Sequence, residues 1–471
     1  MYVIANEIKS PSEAFLEEQR VPFNWKACSV LPDGISITEL HWRSQELLET
    51  DHARLRITVA VDVRENKTIE VFALRTKNVL GTLDIRYAHV FQIFELPLGL
   101  NEALIALKEG VGLRMIEGEA PLWFFAGSPS TSSIEPVHLP HLMIGDAKTP
   151  LESFEDRFNS LASIQPFGWM EGCVLDGLLD AGFTSTARRH LELFVKNNEL
   201  VYEDPRSRPS DGCFYGIEST LPIAMLTKLV PAHPLADLAV QFMKKSADSQ
   251  GVIKDGDTVS AEGSYTIAYP LSVIAAHRKD RELAQLAFKQ LELRSALLWE
   301  GGALYLRRQD NGSRSFSNWG RAYAWHLLGL IRTLEQLKDK ELLSSQQLQL
   351  IEEEYRETLR HAYSFRSVRG LWSCFIDEEE SGVDTSASAG IAASLAIADR
   401  IGIRLFNGAS DAARTAASLY RYLTPDGLVA GTAQSNKNGE ELQRSGYRVI
   451  SQMTMGLLGQ LAAALPCKQW L

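Results

Sequence analysis

The stretch Gly168-Trp169-Met170-Glu171 sets a charged side chain beside an aromatic ring at the start of a helical run, and the chain repeats the device. Tyr215-Gly216-Ile217-Glu218, Glu262-Gly263-Ser264-Tyr265, Trp319-Gly320-Arg321 and Gly446-Tyr447-Arg448 follow the same pattern. Asp384-Thr385-Ser386-Ala387-Ser388 opens a sixth helix without the aromatic. After each start comes an apolar run and then a second amphipathic helix. The 3.6-residue period predicts helices over 152–163, 166–181, 184–198, 215–230, 234–247, 262–278, 281–297, 318–337, 344–365, 384–402, 409–423 and 446–464. The connections repeat too: Gly251-Val252-Ile253, Gly302-Ala303-Leu304-Tyr305, Gly370-Leu371-Trp372 and Gly427-Leu428-Val429 each lead into a polar loop and the next helix start. Helix pairs recurring every fifty to seventy residues or so make a closed or solenoidal array. Long loops all on one side favour a closed α/α toroid of six hairpins, with the opening helix at 152–163 closing the ring against the last.

The preceding residues carry a different period. Leu55, Ile57, Val59, Val61 and Val63 alternate with Arg54, Arg56, Thr58 and Asp62, and 67–74 and 83–96 continue in that style. One apolar and one wet face is the pattern of antiparallel sheets. The reading is therefore an N-terminal antiparallel β-sandwich over 1–127, with a short helix near 101–108. A linker follows over 128–150, beginning Ser128-Pro129-Ser130-Thr131-Ser132-Ser133, and then the helical toroid over 151–471.

Composition narrows the function. The chain has 471 residues, 45% hydrophobic and 23% charged, enough to bury a large core. A formal net charge of −11 argues against nucleic acid as partner, and an anionic substrate would need local arginines to draw it in. Cys28, Cys173, Cys213, Cys374 and Cys467 are scattered and lack metal-ligand spacing, so they read as free thiols in a reducing compartment. The start of the sequence shows no secretory pattern, and no apolar run approaches the ~18 residues of a membrane span. The expectation is a cytoplasmic protein without membrane partner and with no metal site or cofactor; a homo-oligomer is compatible with the sequence.

Gathered round one opening, the helix starts bring together carboxylates, arginines and rings, which suits a carbohydrate-active enzyme. Glu262 and Glu218 are the candidate acid/base pair, with Asp211 and Asp257 in the preceding loops as substitutes. Each glutamate has a plainer reading as a first-turn acid favoured by the helix dipole. Arg321, Trp319, Trp372, Ser386, Asp384, Trp169, Glu171 and Tyr265 are the candidate substrate-binding residues. Arginine suits bidentate carboxylate binding, rings stack on sugars, and serine hydroxyls at a helix start hold anions. Against this stand an ion-pair role for Arg321, a capping role for Glu171 and core roles for the tryptophans, of which Trp325 reads as packing. Of the ten histidines only His326 falls well inside an inner helix, which counts against epimerases built on paired histidines.

Three motifs carry a family resemblance. Asn318-Trp319-Gly320-Arg321-Ala322-Tyr323-Ala324-Trp325 resembles the W-x-R-G-x-x-W helix of unsaturated rhamnogalacturonyl hydrolases, with Ala322 in place of a glycine. Gly370-Leu371-Trp372 through Asp377 is similar to that family's G-L-W-x-x-x-x-D segment, and Asp384-Thr385-Ser386-Ala387-Ser388-Ala389 to its E-x-S-[GA]-[ST]-A helix start. The resemblance covers the C-terminal two-thirds and extends to the related unsaturated glucuronyl hydrolases, the six-hairpin glycosidases. It implies an (α/α)6 barrel, a uronic acid at the substrate's non-reducing end, and a reaction without metal or nucleotide. In that reaction an aspartate protonates the C4=C5 double bond, water adds at C5 and the hemiketal opens. Such an aspartate lies six or seven residues before a proline; counting back from Pro270 gives Ser264 or Gly263, neither an acid, and Glu262 lies just beyond. One residue turns a helix by about 100°, so the offset matters. The expected function is a glycoside hydrolase of uronic-acid-containing oligosaccharides. Its rivals are a β-glucuronidase on saturated uronides, a polysaccharide lyase, and a carbohydrate-binding protein that kept the barrel without catalysis.

Overall fold

The computed structural model describes residues 2–11, 15, 19–42, 53–127, 133–145 and 148–466. Most of the expected Ser/Thr/Pro linker (128–132), and Cys467, lie outside them. Up to Ile144 the described chain is mostly strand. One antiparallel sheet runs Tyr2–Ile4, His141–Ile144, Ala53–Thr58, Ile93–Leu98. A second runs Glu7–Lys9, Thr38–His41, Val111–Glu117, Asn66–Ala73, Val79–Arg86, and Leu122–Ala126 pairs with Lys26–Val30. Helix α1 (Leu100–Glu109) starts at Gly99, whose N–H the Glu102 carboxylate accepts. Leu55, Ile57 and Val59 join Ile69, Val71, Leu83, Ile85 and Leu113 in one apolar cluster drawn from both sheets.

Two expectations change here. The alternation at 54–63 does not leave a wet face: Arg56 and Thr58 are fully buried. Arg56 donates to Glu95 at 2.8 Å and to Asp426 at 2.6 Å, and Asp426 belongs to the helical part. The polar face is thus a docking surface. The linker is also shorter than expected, because His141–Ile144 forms a strand between two others of the first sheet. All four of its residues are buried, so it has no alternation to read, and Pro136 and Pro140 before it look like linker.

The helical part opens with α2 (Pro150–Phe158), started by a Thr149–Glu152 capping box with Pro150 as its first residue. Five hairpins follow: α3 (Trp169–Ala181) with α4 (Thr184–Phe194), α5 (Leu221–Leu229) with α6 (Leu235–Lys245), α7 (Tyr269–Arg278) with α8 (Arg281–Leu298), α9 (Gly320–Leu337) with α10 (Ser345–Ser364), and α11 (Thr385–Arg400) with α12 (Ala409–Leu419). After a short α13 (Gly439–Arg444) comes α14 (Gln452–Ala464), which packs against α2. Each inner helix contacts the next, α3 to α5, α7, α9, α11 and α14, and α14 returns to α3. Inner helices such as α9 and α11 are apolar nearly all round and buried, whereas α6 and α10 keep a polar face to solvent. The cluster Gly446-Tyr447-Arg448 does not open a helix. Arg448–Val449 pairs as a strand with Thr432–Ala433, and Tyr447 reaches the β part, its hydroxyl donating to the Asp84 carbonyl.

A polar plug crosses the ring's interior. Asp176 accepts from Tyr265 (2.7 Å), Tyr269 (2.9 Å) and Lys228 (2.9 Å), and Arg332 lies beside it and also binds Asp180 and Gln460. Burial alone would raise Asp176, but Arg332 and Lys228 outweigh it and hold the carboxyl low.

Candidate active site

At the end of the ring where the inner helices begin, a cavity of about 400 Å³ is bounded by Trp169, Tyr215, Glu218, Asp255, Glu262 and Arg307 on the helical side. Arg64 and His89 enter it from the β part, and Arg206 and Lys437 from loops. Glycine is needed at Gly168, the residue before α3. Its φ is +140°, and a Cβ would sit 2.0 Å from the Tyr215 hydroxyl, so only a bare backbone lets that ring close over the helix start.

Glu218 sits in a 3-10 turn, Ile217–Thr220, that runs into α5. Glu262 precedes a π-helical turn, Ser264–Ala268, closed by the Tyr269 N–H on the Ser264 carbonyl and running into α7. Pro270 has no N–H to give the Thr266 carbonyl, and the Thr220 hydroxyl supplies the missing bond. That bond ties the turn carrying Glu218 to the turn that follows Glu262. The π turn adds a residue between Glu262 and Pro270, and it is Glu262, eight residues before the proline, that lines the cavity. Ser264 points away, bonded to His326 Nδ1 at 2.8 Å, with His326 in turn 3.2 Å from Glu354. At Gly263 a Cβ would stand 2.3 Å from the buried Arg294 guanidinium, so that position faces an outer helix.

The two carboxylates meet. Glu218 is half-buried, enclosed by protein but open to the cavity. Burial first, then the neighbouring Glu262 and Asp255 carboxylates, push its pKa well above the usual range, and it lies within hydrogen-bonding reach of Glu262. Arg307 pulls the other way and does not prevail. Glu218 is therefore the carboxyl of the two that burial and its acidic neighbours favour in the acid form. His89 is buried and held well below its usual pKa by burial and by Lys437, Arg64 and Arg321, so it is neutral. Burial lowers Lys437 to about 8 even though Asp62 pairs with it.

Of the other residues expected from sequence, Trp169 lines the cavity. Arg321 lines a recess of about 20 Å³ behind it, together with His89, Gln92, Ser435 and Gln452. Arg321 donates to the Ala433 carbonyl, stands 3.6 Å from Asp384 and stacks over Trp319. Asp384, Ser386 and Trp319 are fully buried behind it: Asp384 accepts from the Ala433 N–H at 3.0 Å and from the Ser386 hydroxyl at 2.8 Å. They brace Arg321 and do not reach the cavity. Trp372 is core, donating to the Ala362 carbonyl at 2.7 Å, and Tyr265 belongs to the Asp176 plug. Glu171 is fully buried, joined to His190 (2.8 Å) and the Gln165 N–H (2.8 Å), so it fixes the start of α3 instead of facing sugar. Asp211 pairs with Arg20 at 2.6 Å and Asp257 with Thr258, both exposed and outside the cavity lining; Asp255 lines it instead. The sequence reading missed Arg64, His89, Arg206, Asp255, Arg307 and Lys437. Arg307 sits on the strand Ala303–Gln309 and the others in turns and loops, where no periodicity marks them. Among the described residues no group of three His, Cys, Asp or Glu side chains is placed to hold a metal, and no helix is long and apolar enough to cross a membrane.

Known proteins resemble this chain in sequence over its C-terminal part and in fold over about two-thirds of its length. The sequence profile of Glycosyl Hydrolase Family 88 matches residues 274–467. The unsaturated rhamnogalacturonyl hydrolase YesR of Bacillus subtilis (strain 168) is 27% identical over 174 residues, 35% of this chain. The chain resembles the six-hairpin unsaturated uronyl hydrolases. The matched stretch spans 47% of that curated relative, about half its length. Among solved structures, a family 105 glycoside hydrolase of C. acetobutylicum ATCC 824 superposes with a TM-score of 0.56 at 15% identity, covering 67% of this chain and 99% of that one. A possible family 105 member from Salmonella enterica gives 0.55 at 14% identity, covering 63% and 82%. These superpositions speak to fold. Arg307, Arg321 and Lys437 fall inside the profile match, whereas Glu218, Glu262, Arg64, His89 and Arg206 precede it.

Proposed function

We propose that the protein is a glycoside hydrolase of uronic-acid-containing oligosaccharides that hydrates the C4=C5 bond of an unsaturated uronyl residue at the non-reducing end. The observation that carries this is the Glu218–Glu262 pair, two carboxyls from adjacent hairpins facing one cavity large enough for a disaccharide, with Glu218 pushed toward its acid form by burial and by Glu262 and Asp255. Hydration needs a proton delivered to C4 and a base for the water that adds at C5, and a carboxyl pair holding one proton supplies both. Glu218 is the proton's holder, and Glu262, just before the π turn, takes the part of the family's hydrating acid. The hemiketal at C5 then opens and releases the second sugar. Arg321, held by the Ala433 carbonyl and flanked by neutral His89, is the group for the uronate. Trp169 offers a ring to the sugar face.

A glycosidase acting on saturated uronides places its carboxyls about 5 Å apart or more, on either side of the scissile bond. Carboxyls in hydrogen-bonding reach of each other leave no space for that bond, which favours hydration over direct displacement. On this reading the two N-terminal sheets form a sandwich that walls the cavity, and the ring from Pro150 onward is the (α/α)6 barrel. The test is loss of the ultraviolet absorbance of an unsaturated uronyl disaccharide, run beside a saturated aryl-glucuronide. Turnover of the unsaturated substrate, abolished by Glu262→Gln, is the expected result. Turnover of the saturated one alone would overturn the proposal.

A further inference from the structure

The cavity mouth carries more positive charge than one uronate requires. In a chain of net charge −11, four cationic side chains, Arg64, Arg206, Arg307 and Lys437, line it beside Arg321 in the recess. Two of them are built alike. Arg206 is gripped from behind by Asp204, its Nε and Nη2 donating to one carboxylate oxygen at 3.1 and 2.9 Å. The other oxygen of Asp204 accepts the N–H groups of Arg206 and Arg208. Arg64 is backed by Asp62 through an ion pair, with Nε 2.7 Å from one carboxylate oxygen. The two aspartates are buried, with side chains 4% and 1% exposed, whereas the arginines are 50% and 51% exposed. Each guanidinium is thus oriented by a hidden carboxylate and keeps further N–H groups free at the front. The two come from different parts of the fold, yet the Asp62 N–H donates to the Ser207 hydroxyl at 3.0 Å, which joins the two short segments. Lys437 closes the group by binding Asp62 and the Ala88 carbonyl.

Resting on the hydrase reading above, we propose that the substrate carries a second anionic group, on the sugar beyond the unsaturated uronyl residue, and that Arg64 and Arg206 together bind it. The substrate class is then a dianionic uronyl disaccharide, its second anion a carboxylate or a sulfate ester. Planar forks pinned at one edge suit either oxyanion and lose little side-chain entropy on binding it. A neutral second sugar would leave both forks without a partner.

The test measures binding to the Glu262→Gln protein, which is not expected to turn substrate over. Three disaccharides share the same unsaturated uronyl residue, and their second sugars are a neutral hexose, a uronic acid and an O-sulfated hexose. At low salt, titration calorimetry should give the uronic or the sulfated ligand about tenfold tighter binding or more than the neutral one, the size of one charge-assisted hydrogen bond at a half-wet site. Whichever is favoured identifies the anion. Adding Arg64→Gln and Arg206→Gln should erase that preference while the neutral disaccharide binds as before, which also shows that the variant is folded. If the double change disturbs folding, Arg206→Gln alone should cut the preference. Equal affinity for all three, or a preference that survives both changes, overturns the inference. Turnover by the wild-type protein separates the two proposals. No turnover of any of the three, with the anion preference intact, would sink the hydrase reading and leave the anion site standing.

Discussion

Glu218→Gln keeps the shape of the side chain and its hydrogen bond to Glu262, and removes only the titration. That makes it a clean probe of the raised pKa, with two independent readouts. The first is activity. If Glu218 delivers the proton, the wild-type rate should fall as pH rises through the elevated pKa, since the acid form disappears above it. The variant should lose about 10²- to 10⁴-fold at all pH values, the usual contribution of a positioned acid, or about 3–5 kcal/mol of barrier. The second readout is stability. A carboxyl with a folded pKa above its unfolded value makes the native state bind more protons than the unfolded chain between those two pH values. The unfolding free energy therefore falls with rising pH across that window, by up to about 1.4 kcal/mol per pH unit. Below the unfolded value, near 4.5, wild type and variant should differ little in this respect. Urea unfolding from pH 5 to 8 should then show a growing advantage for Glu218→Gln, because the uncharged amide never suffers the repulsion from Glu262 and Asp255. Parallel stability curves for the two proteins would mean that Glu218 is ionised throughout and that the account of its raised pKa is wrong.

Four further outcomes follow from named contacts. Arg56→Met leaves Asp426 buried and without its guanidinium, so urea unfolding should show a loss of about 3–5 kcal/mol, and a change below 1 kcal/mol would show that the two parts dock by apolar contact alone. Gly329→Ala drives a Cβ to 2.3 Å from the Ser264 backbone, so it should cost about 1–3 kcal/mol and disturb the π turn, lowering activity as well; a fully active, stable variant would exclude any role for that turn in placing Glu262. Asp176→Asn removes the charge that compensates Arg332 and Lys228, and should destabilise by about 3–5 kcal/mol in denaturant titration with the same sugar preference in the folded fraction. Arg321→Lys keeps charge but loses the fork, so uronide affinity measured by calorimetry should fall by about 1–3 kcal/mol; unchanged affinity would reduce Arg321 to a strut beneath the cavity.

The helical ring was open to sequence reading because inner helices need an apolar stripe with a 3.6-residue period, and their starts repeat. Limits appeared where tertiary contact replaces local pattern. The last helix begins at Gln452 rather than at Gly446, because Tyr447 and Arg448 are drawn off to the β part and into a strand pair. The segments Ala303–Gln309 and Arg314–Ser317 pair as strands in what looked like a loop, and they place Arg307 at the cavity. Glu218 and Glu262 were legible as acids near helix starts. What placed Glu262 was the π turn, which leaves no mark in the sequence except a proline in an awkward register. Asp384, Ser386, Trp319 and Trp372 were legible as chemistry-bearing residue types, but burial decides their role, and composition does not report burial. The alternation at 54–63 was read as strand, which holds only as far as Thr58, and wrongly as half-wet, since an arginine on a docking face looks the same in sequence as one in water.

The β part therefore acts at the cavity itself. The ring alone offers acids: Glu218, Glu262 and Asp255 face the opening, with Arg307 as the cation that bears on Glu218. An anionic substrate approaching this acidic cluster in a chain of net charge −11 needs added positive charge at the opening. Docking of the β part adds Arg64 directly, and Asp62 holds Lys437 at the cavity wall. The Asp62 N–H bond to Ser207 also ties down the loop that presents Arg206. The same docking buries His89 among Lys437, Arg64 and Arg321, which keeps it neutral and so able to accept as well as donate a hydrogen bond at the sugar. A ring expressed without residues 1–145 would lose Arg64 and His89 outright, deprive Lys437 of Asp62, and release the Ser207 tie on the loop that carries Arg206. Part of the positive charge at the opening would go with them, so attraction of an anionic sugar depends on that interface as well as on the ring.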